Sequence, residues 1–89
     1  MAKLIINRIS NQNSLFVNLD IHLDNNKVAK IADGGIVELE VGIGEHEIFV
    51  SALYGIYRSK KVNFSVPNLD TGRFFSIDRN KQIAKIISI

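Results

Sequence analysis

The 89-residue chain contains no cysteine. That excludes disulfides, thiolate metal sites and a cysteine nucleophile, and it removes the thiol evidence from which a redox compartment is inferred. No stretch carries the 3.6-residue apolar period of an amphipathic helix. Long apolar runs are missing too: the opening "MAKLIINRIS" holds only Leu4, Ile5 and Ile6 in a row, far short of a signal-peptide core or a membrane span. The expectation is a chain without membrane insertion and without a readable address, its localisation unassigned. Catalytic signatures are equally scarce. There is no phosphate loop, no G-x-S-x-G and no zinc-hydrolase helix, and Gly42-Ile43-Gly44 lacks the third glycine and following helix of a dinucleotide site. The chain reads as a non-enzyme needing no cofactor.

The composition, 46% apolar and 22% charged, is that of an ordinary globular domain. A chain of this length forms one domain, residues 1–89, and removes only about two thirds of its unfolded surface from water. Its net stability is on the order of 4 to 13 kcal/mol. The formal charge of +2 conceals a division: residues 20–50 carry seven acids against Lys27 and Lys30, while residues 51–89 carry seven bases against Asp70 and Asp78. Such asymmetry either steers a charged partner or draws the two halves together across one small fold.

A period of two runs through nearly the whole sequence. In "LFVNLDIHLD", Leu15, Val17, Leu19, Ile21 and Leu23 alternate with Asn18, Asp20, His22 and Asp24; "IVELEV" and "KVNFSV" repeat the pattern. Each is a strand with one dry face. Near the end Ile83, Lys85, Ile87 and Ile89 alternate with Ala84, Ile86 and Ser88, so this strand is apolar on both faces and is expected to be sandwiched or paired. Turn residues punctuate the runs about every 8 to 12 positions. These spacings predict an all-β antiparallel sandwich, Ig-like or similar, of about seven or eight strands, starting near Leu4, Leu15, Val28, Ile36, Glu45, Ser59, Arg73 and Ile83.

Local details sharpen the expectation. Asn25-Asn26 suits a two-residue primed turn that sets Leu23 opposite Val28. Val28 and Ile31 then both face inward only across an extra residue, which predicts a bulge near Ala29 and Lys30. Around Gly42 to Gly44, simple pairing of the flanking strands would oppose Glu40 and Glu47, an unfavourable like-charge pair; either lysines lie nearby or the chain crosses between sheets there. His46 shares a face with Ile48, Val50 and Ala52, and is expected to line the core edge, donating a ring N–H to a carbonyl.

Three clusters are candidate sites. Asp20, His22 and Asp24 present oxygen and nitrogen ligands on one strand face, suited to zinc or a similar cation. Same-face Cα atoms lie roughly 6.6 to 6.8 Å apart, so convergence needs a strong bend or a second strand, and a plain polar face is the competing reading. Tyr54, Tyr57, Arg58, Lys60 and Lys61 join aromatics to cations, the combination that single-stranded nucleic acid or a glycan uses. The C-terminal strand, with Ile83, Lys85, Ile87 and Ile89, lacks proline and holds one charge, so an open edge there has to be covered by a partner or by the sheet itself.

The stretch "IHLDNNKVAKIADGGIVELEVGIGEHEIFVSA", followed by "RSKKVNFSV", resembles the small bacterial β-sandwich modules of the PEGA type and similar Ig-like domains. Gly44, Glu45, His46, Ile48 and Val50 match the Gly-Glu-His element that precedes an alternating strand. Asp24, Val28, Ile31 and Gly35 match the earlier Asp-containing turn, short strand and glycine turn. The likeness covers about half the chain, and Gly42 or Ile43 stands where such modules usually have proline. It implies a surface or envelope interaction module without catalysis, in which the histidine is structural. The functional expectation is a non-catalytic binding or structural module that contacts a protein partner or a second copy of itself, with carbohydrate or nucleic-acid binding as the alternative.

Overall fold

The computed structural model describes residues 1–10 and 17–86; the expected strand start at Leu15 and the interface candidates Ile87 and Ile89 fall outside them. Among the described residues nine strands form: β1 (Ala2–Arg8), β2 (Leu19–Leu23), β3 (Asn26–Ile31), β4 (Ile36–Val41), β5 (Gly44–Ala52), β6 (Tyr57–Arg58), β7 (Val62–Val66), β8 (Gly72–Ile77) and β9 (Ile83–Lys85), with a 3-10 turn at Leu53–Gly55. They make an antiparallel β-sandwich. One sheet has the order β4-β1-β8-β9; the other has β3-β2-β5, with β6 and β7 both pairing the far side of β5. Among the described strands the pairing is antiparallel except for β1 with β8, which run parallel with Ile5 beside Phe74.

The period of two produces the core. Leu4, Ile6, Val41, Phe75, Ile77 and Ile83 from the four-stranded sheet meet Leu19, Ile21, Ile31, Ile48, Val50, Phe64 and Val66 from the other, all buried. Phe64 packs edge-on to Phe75 at 5.1 Å across the interior, an arrangement that aromatic quadrupoles favour. The chain passes between sheets at Gly42–Gly44, because β4 pairs β1 while β5 joins β2. Glu40 therefore lies beside Lys3, and Glu47 beside Asn63, so the like-charge pair never forms.

Three expectations about register change. The β2–β3 turn is Asp24-Asn25, both at positive φ (51° and 67°), and Leu23 opposes Asn26 rather than Val28. The Asp24 carboxylate explains the shift: Oδ1 accepts the Glu47 amide at 2.9 Å while the Asp24 amide donates to the Glu47 carbonyl, pinning the turn onto β5. The bulge is present but sits at Val28, between the pairs Ile21–Ala29 and His22–Lys27, and Val28 points to solvent. The strand expected to begin near Ser59 is replaced by a short β6 before that residue and β7 after it; at the break the Val50 amide donates to the Ser59 hydroxyl while the Val50 carbonyl accepts from the Ser59 amide.

Arg8 is the one buried charge of β1, in the inward register after Leu4 and Ile6 and only 3% exposed. Its guanidinium donates to the carbonyls of Val17 (2.8 Å) and Ile31 (3.1 Å), so it bolts one sheet to the other at the end where β3 finishes. A buried charge is tolerable only with such partners. The core reading carries a direct check. Phe75→Ala should remove about 3 to 5 kcal/mol, a large share of the total, whereas Asn7→Ala one strand away on the outward face should stay within about 0.5 kcal/mol, both read by chemical denaturation.

Candidate functional site

His46 follows Gly44, whose φ of +129° only glycine adopts readily; this lets β5 start at once beyond the crossing. The ring stacks on Phe64 with centroids 5.5 Å apart. Nε2 faces the Gly42 carbonyl at 2.8 Å and Nδ1 faces Asp24 Oδ2 at 2.7 Å. Both partners are acceptors, so both ring nitrogens donate, and the geometry favours imidazolium. The Asp24 hydrogen bond raises the His46 pKa against the opposing effect of burial, and the Gly42 carbonyl adds to the rise. Burial alone would push Asp24 up, but the bonds from His46 and the Glu47 amide outweigh it and hold its carboxyl below the ordinary range. His46 thus lines the core edge and latches the β2–β3 turn to the crossing segment.

The face with Asp20, His22 and Asp24 does not gather. Asp20 pairs with Lys27 at 3.4 Å, His22 stacks flat on Phe49 at 4.4 Å and hydrogen-bonds the Ser51 hydroxyl at 2.8 Å, and Asp24 turns away to His46. Among the described residues no three His, Cys, Asp or Glu side chains are placed to hold a metal ion. Burial lowers the His22 pKa; the Asp20 charge opposes this, and Arg58 and Lys27 add to it. An open depression of about 380 Å³ borders this face, lined by Asp24, Glu45, His46, Glu47 and Asn63.

Phe49 is the residue that alternation hides. It points outward from β5, yet it is 5% exposed, because His22 covers it from the β2 side and Arg58 and Lys61 approach its ring to 5.9 and 5.6 Å from the other. Contacts of this kind contribute about 0.5 to 1 kcal/mol at exposed sites. The signal available beforehand was the alternation itself, which put a large aromatic on a polar face.

Of the five candidates, Tyr54, Tyr57 and Arg58 lie at the Ala52 end of β5 while Lys61 reaches back along that strand to Glu47, and together they do not form a stacking platform. Tyr57 is anchored: its hydroxyl donates toward the carbonyls of Asn80 and Lys81 and accepts from Gln82 Nε2, and burial, followed by the Asp78 charge, raises its pKa. Lys61 pairs with Glu47 at 3.5 Å. Tyr54 stands fully in solvent at the tip of the 3-10 turn, with Leu53 and Ile56 exposed beside it.

At the C-terminal strand, β9 pairs β8 and forms the edge of its sheet among the described residues. Ile83 enters the core and Lys85 is exposed. The next exposed apolar residue is Ile86, whose amide donates to the Phe74 carbonyl at 2.8 Å. Since Ile5 pairs with Phe74, Ile5, Phe74 and Ile86 stand in one row on the outer face, Phe74 and Ile86 being 37% and 44% exposed.

The His46 latch gives a pH prediction. A raised histidine pKa adds stability that is complete below the ordinary value of 6.5 and is lost as pH rises through the raised folded value. The lowered Asp24 pKa adds stability that is complete above 3.8 and is lost as pH falls through its folded value. The latch is therefore strongest between these limits. His22 slopes the opposite way, so the quantity to read is the urea-midpoint difference between wild type and His46→Gln. That difference should shrink as pH rises past 6.5; a constant difference removes the ion pair from the account. No protein-family model, curated protein or solved structure matches the chain.

Proposed function

We propose that this domain is a non-catalytic contact module that associates with a second copy of itself through the four-stranded sheet. One observation carries the reading: the apolar row Ile5, Phe74 and Ile86 crosses the outer face and ends at the β9 edge. An edge strand offers unpaired backbone donors and acceptors to another chain. Two copies of one edge are complementary when antiparallel, because a two-fold axis sets each residue against its counterpart, and the row then continues from one copy into the next. Arg8, Ser51 and Ser59 all have partners inside the fold, and no buried side-chain nitrogen or oxygen of the described residues lacks one.

The likeness to PEGA-type and Ig-like modules belongs to the same reading, since in those modules the histidine after the glycine turn is structural and His46 works here as a latch. A second reading, glycan or nucleic-acid binding at Tyr54 to Lys61, draws on the complete exposure of Tyr54 and on Arg58 and Lys60 nearby. It is weakened by Tyr57, whose hydroxyl is committed to the β8–β9 turn, and by Phe49, whose faces are covered; stacking on successive bases needs several open rings.

Light scattering after size exclusion should show a mass that rises with protein concentration. Ile86→Lys and Phe74→Lys should each hold the protein monomeric while leaving its circular dichroism unchanged. A wild type that stays monomeric at millimolar concentration sinks the self-association reading.

A further inference from the structure

Among the described residues the Leu53–Gly55 turn combines exposed apolar side chains with a strained backbone. Leu53, Tyr54 and Gly55 follow one another at φ of 54°, 56° and 88°. For the two non-glycine residues, left-handed backbone costs roughly 1 to 2 kcal/mol each, and such strain persists only where the surroundings enforce it. The surroundings are firm. Ala52 before the turn is buried, the Ile56 amide closes onto the Leu53 carbonyl at 3.2 Å, and Tyr57 behind it is tied to the β8–β9 turn. The result is a rigid convex tip on which Leu53 is 55%, Tyr54 106% and Ile56 86% exposed.

Cations lie on one side of this tip, where the Arg58 guanidinium approaches Gly55. Arg58 stands over Phe49 with no carboxylate within ion-pair distance among the described residues, Lys60 is exposed, and Lys81 lies in the turn that receives the Tyr57 hydroxyl. Asp78 lies in that same turn, Asp20 is already paired with Lys27, and Glu47, further back along β5, is paired with Lys61. The tip is thus apolar, with Arg58 and Lys60 on the segment that leaves it.

We propose that the Leu53–Ile56 turn docks on an anionic lipid bilayer, with Leu53, Tyr54 and Ile56 entering the headgroup layer and Arg58 and Lys60 lying against the charged headgroups. Three considerations select this occupant. Three side chains are far too few for a stable protein interface, which needs about 800 Å² from each partner. A bilayer demands no complementary pocket and accepts a convex apolar tip, with tyrosine suited to the boundary between tails and water. Phosphate-chain binding would leave Leu53 and Ile56 without a role, whereas a bilayer uses them together with the cations. No span is required: no helix of the described residues is long and apolar enough to cross a membrane, and contact here is peripheral.

The absence of tryptophan supplies the test. In Tyr54→Trp the new indole is the sole reporter, and its emission should shift to the blue with mixed phosphatidylcholine–phosphatidylserine vesicles and not with phosphatidylcholine alone. Cosedimentation with the anionic vesicles should fall about five-fold for Lys60→Ala and about ten-fold for Ile56→Ser, and should weaken with salt. Both substituted side chains are exposed, and unchanged circular dichroism confirms that the variants are folded. Binding unaffected by Ile56→Ser, equal partition onto uncharged vesicles, no partition at all, or an indole shift produced by a nucleic-acid or glycan probe and not by vesicles would each overturn the proposal.

Discussion

A domain this small can dry only one layer, and its geometry follows from that constraint. Each strand gives alternate residues to the shared interior, and the two sheets have to be held at a spacing where both sets interlock. Apolar packing supplies the driving force, but it does not close the rims, where strands end and carbonyls would otherwise be left between the sheets. Polar side chains do that work at both ends. Arg8 reaches the Val17 and Ile31 carbonyls from β1 at one rim, and His46 holds Gly42 and Asp24 at the other. One clamp is permanently charged and the other is a titratable histidine.

With the interior and its rims occupied, the surface divides into regions of different character. The outer side of the five-stranded sheet is a network of paired side chains in which an aromatic lies beneath a histidine and two cations. The outer side of the four-stranded sheet is plainer and keeps an apolar row beside an edge. The 3-10 turn is different again, since its backbone is held in an unfavourable conformation with apolar groups facing water. Such an arrangement lowers stability without improving the core, which is the usual mark of a segment retained for what it contacts.

Much of this was legible in the order of residues. Alternation gave the sandwich, the inward set and the placement of His46 with Ile48, Val50 and Ala52, and the clash between Glu40 and Glu47 left either nearby lysines or a crossing at Gly42–Gly44; both are present, with Lys3 beside Glu40 and Lys61 beside Glu47. Alternation assigns a side chain to a face but does not say what will cover it, so neither the cover over Phe49 nor the carbonyl partners of Arg8 can be read from it. Turn propensity favoured Asn25-Asn26, yet the choice fell one residue earlier because Asp24 is bonded across the sheet, a contact that local sequence does not display. The candidate sites fared similarly. Residue types were recognisable, but Asp20, His22 and Asp24 separate because each finds a nearer partner, and Ile83 is drawn inside while Ile86 remains out.

The parallel alignment of β1 with β8 bears on how the chain reaches this shape. These two strands are central in their sheet, although more than sixty positions separate them along the polypeptide. Every other pairing in that sheet except β1 with β4 involves β8 or β9. The five-stranded sheet can assemble from β2 through β7, but β1 keeps one flank open until β8 has emerged from the ribosome. Closing so long a loop is slow, and the unpaired flank is an aggregation hazard during the wait. Production yield should therefore depend on the speed of translation and on chaperones that shield a nascent strand.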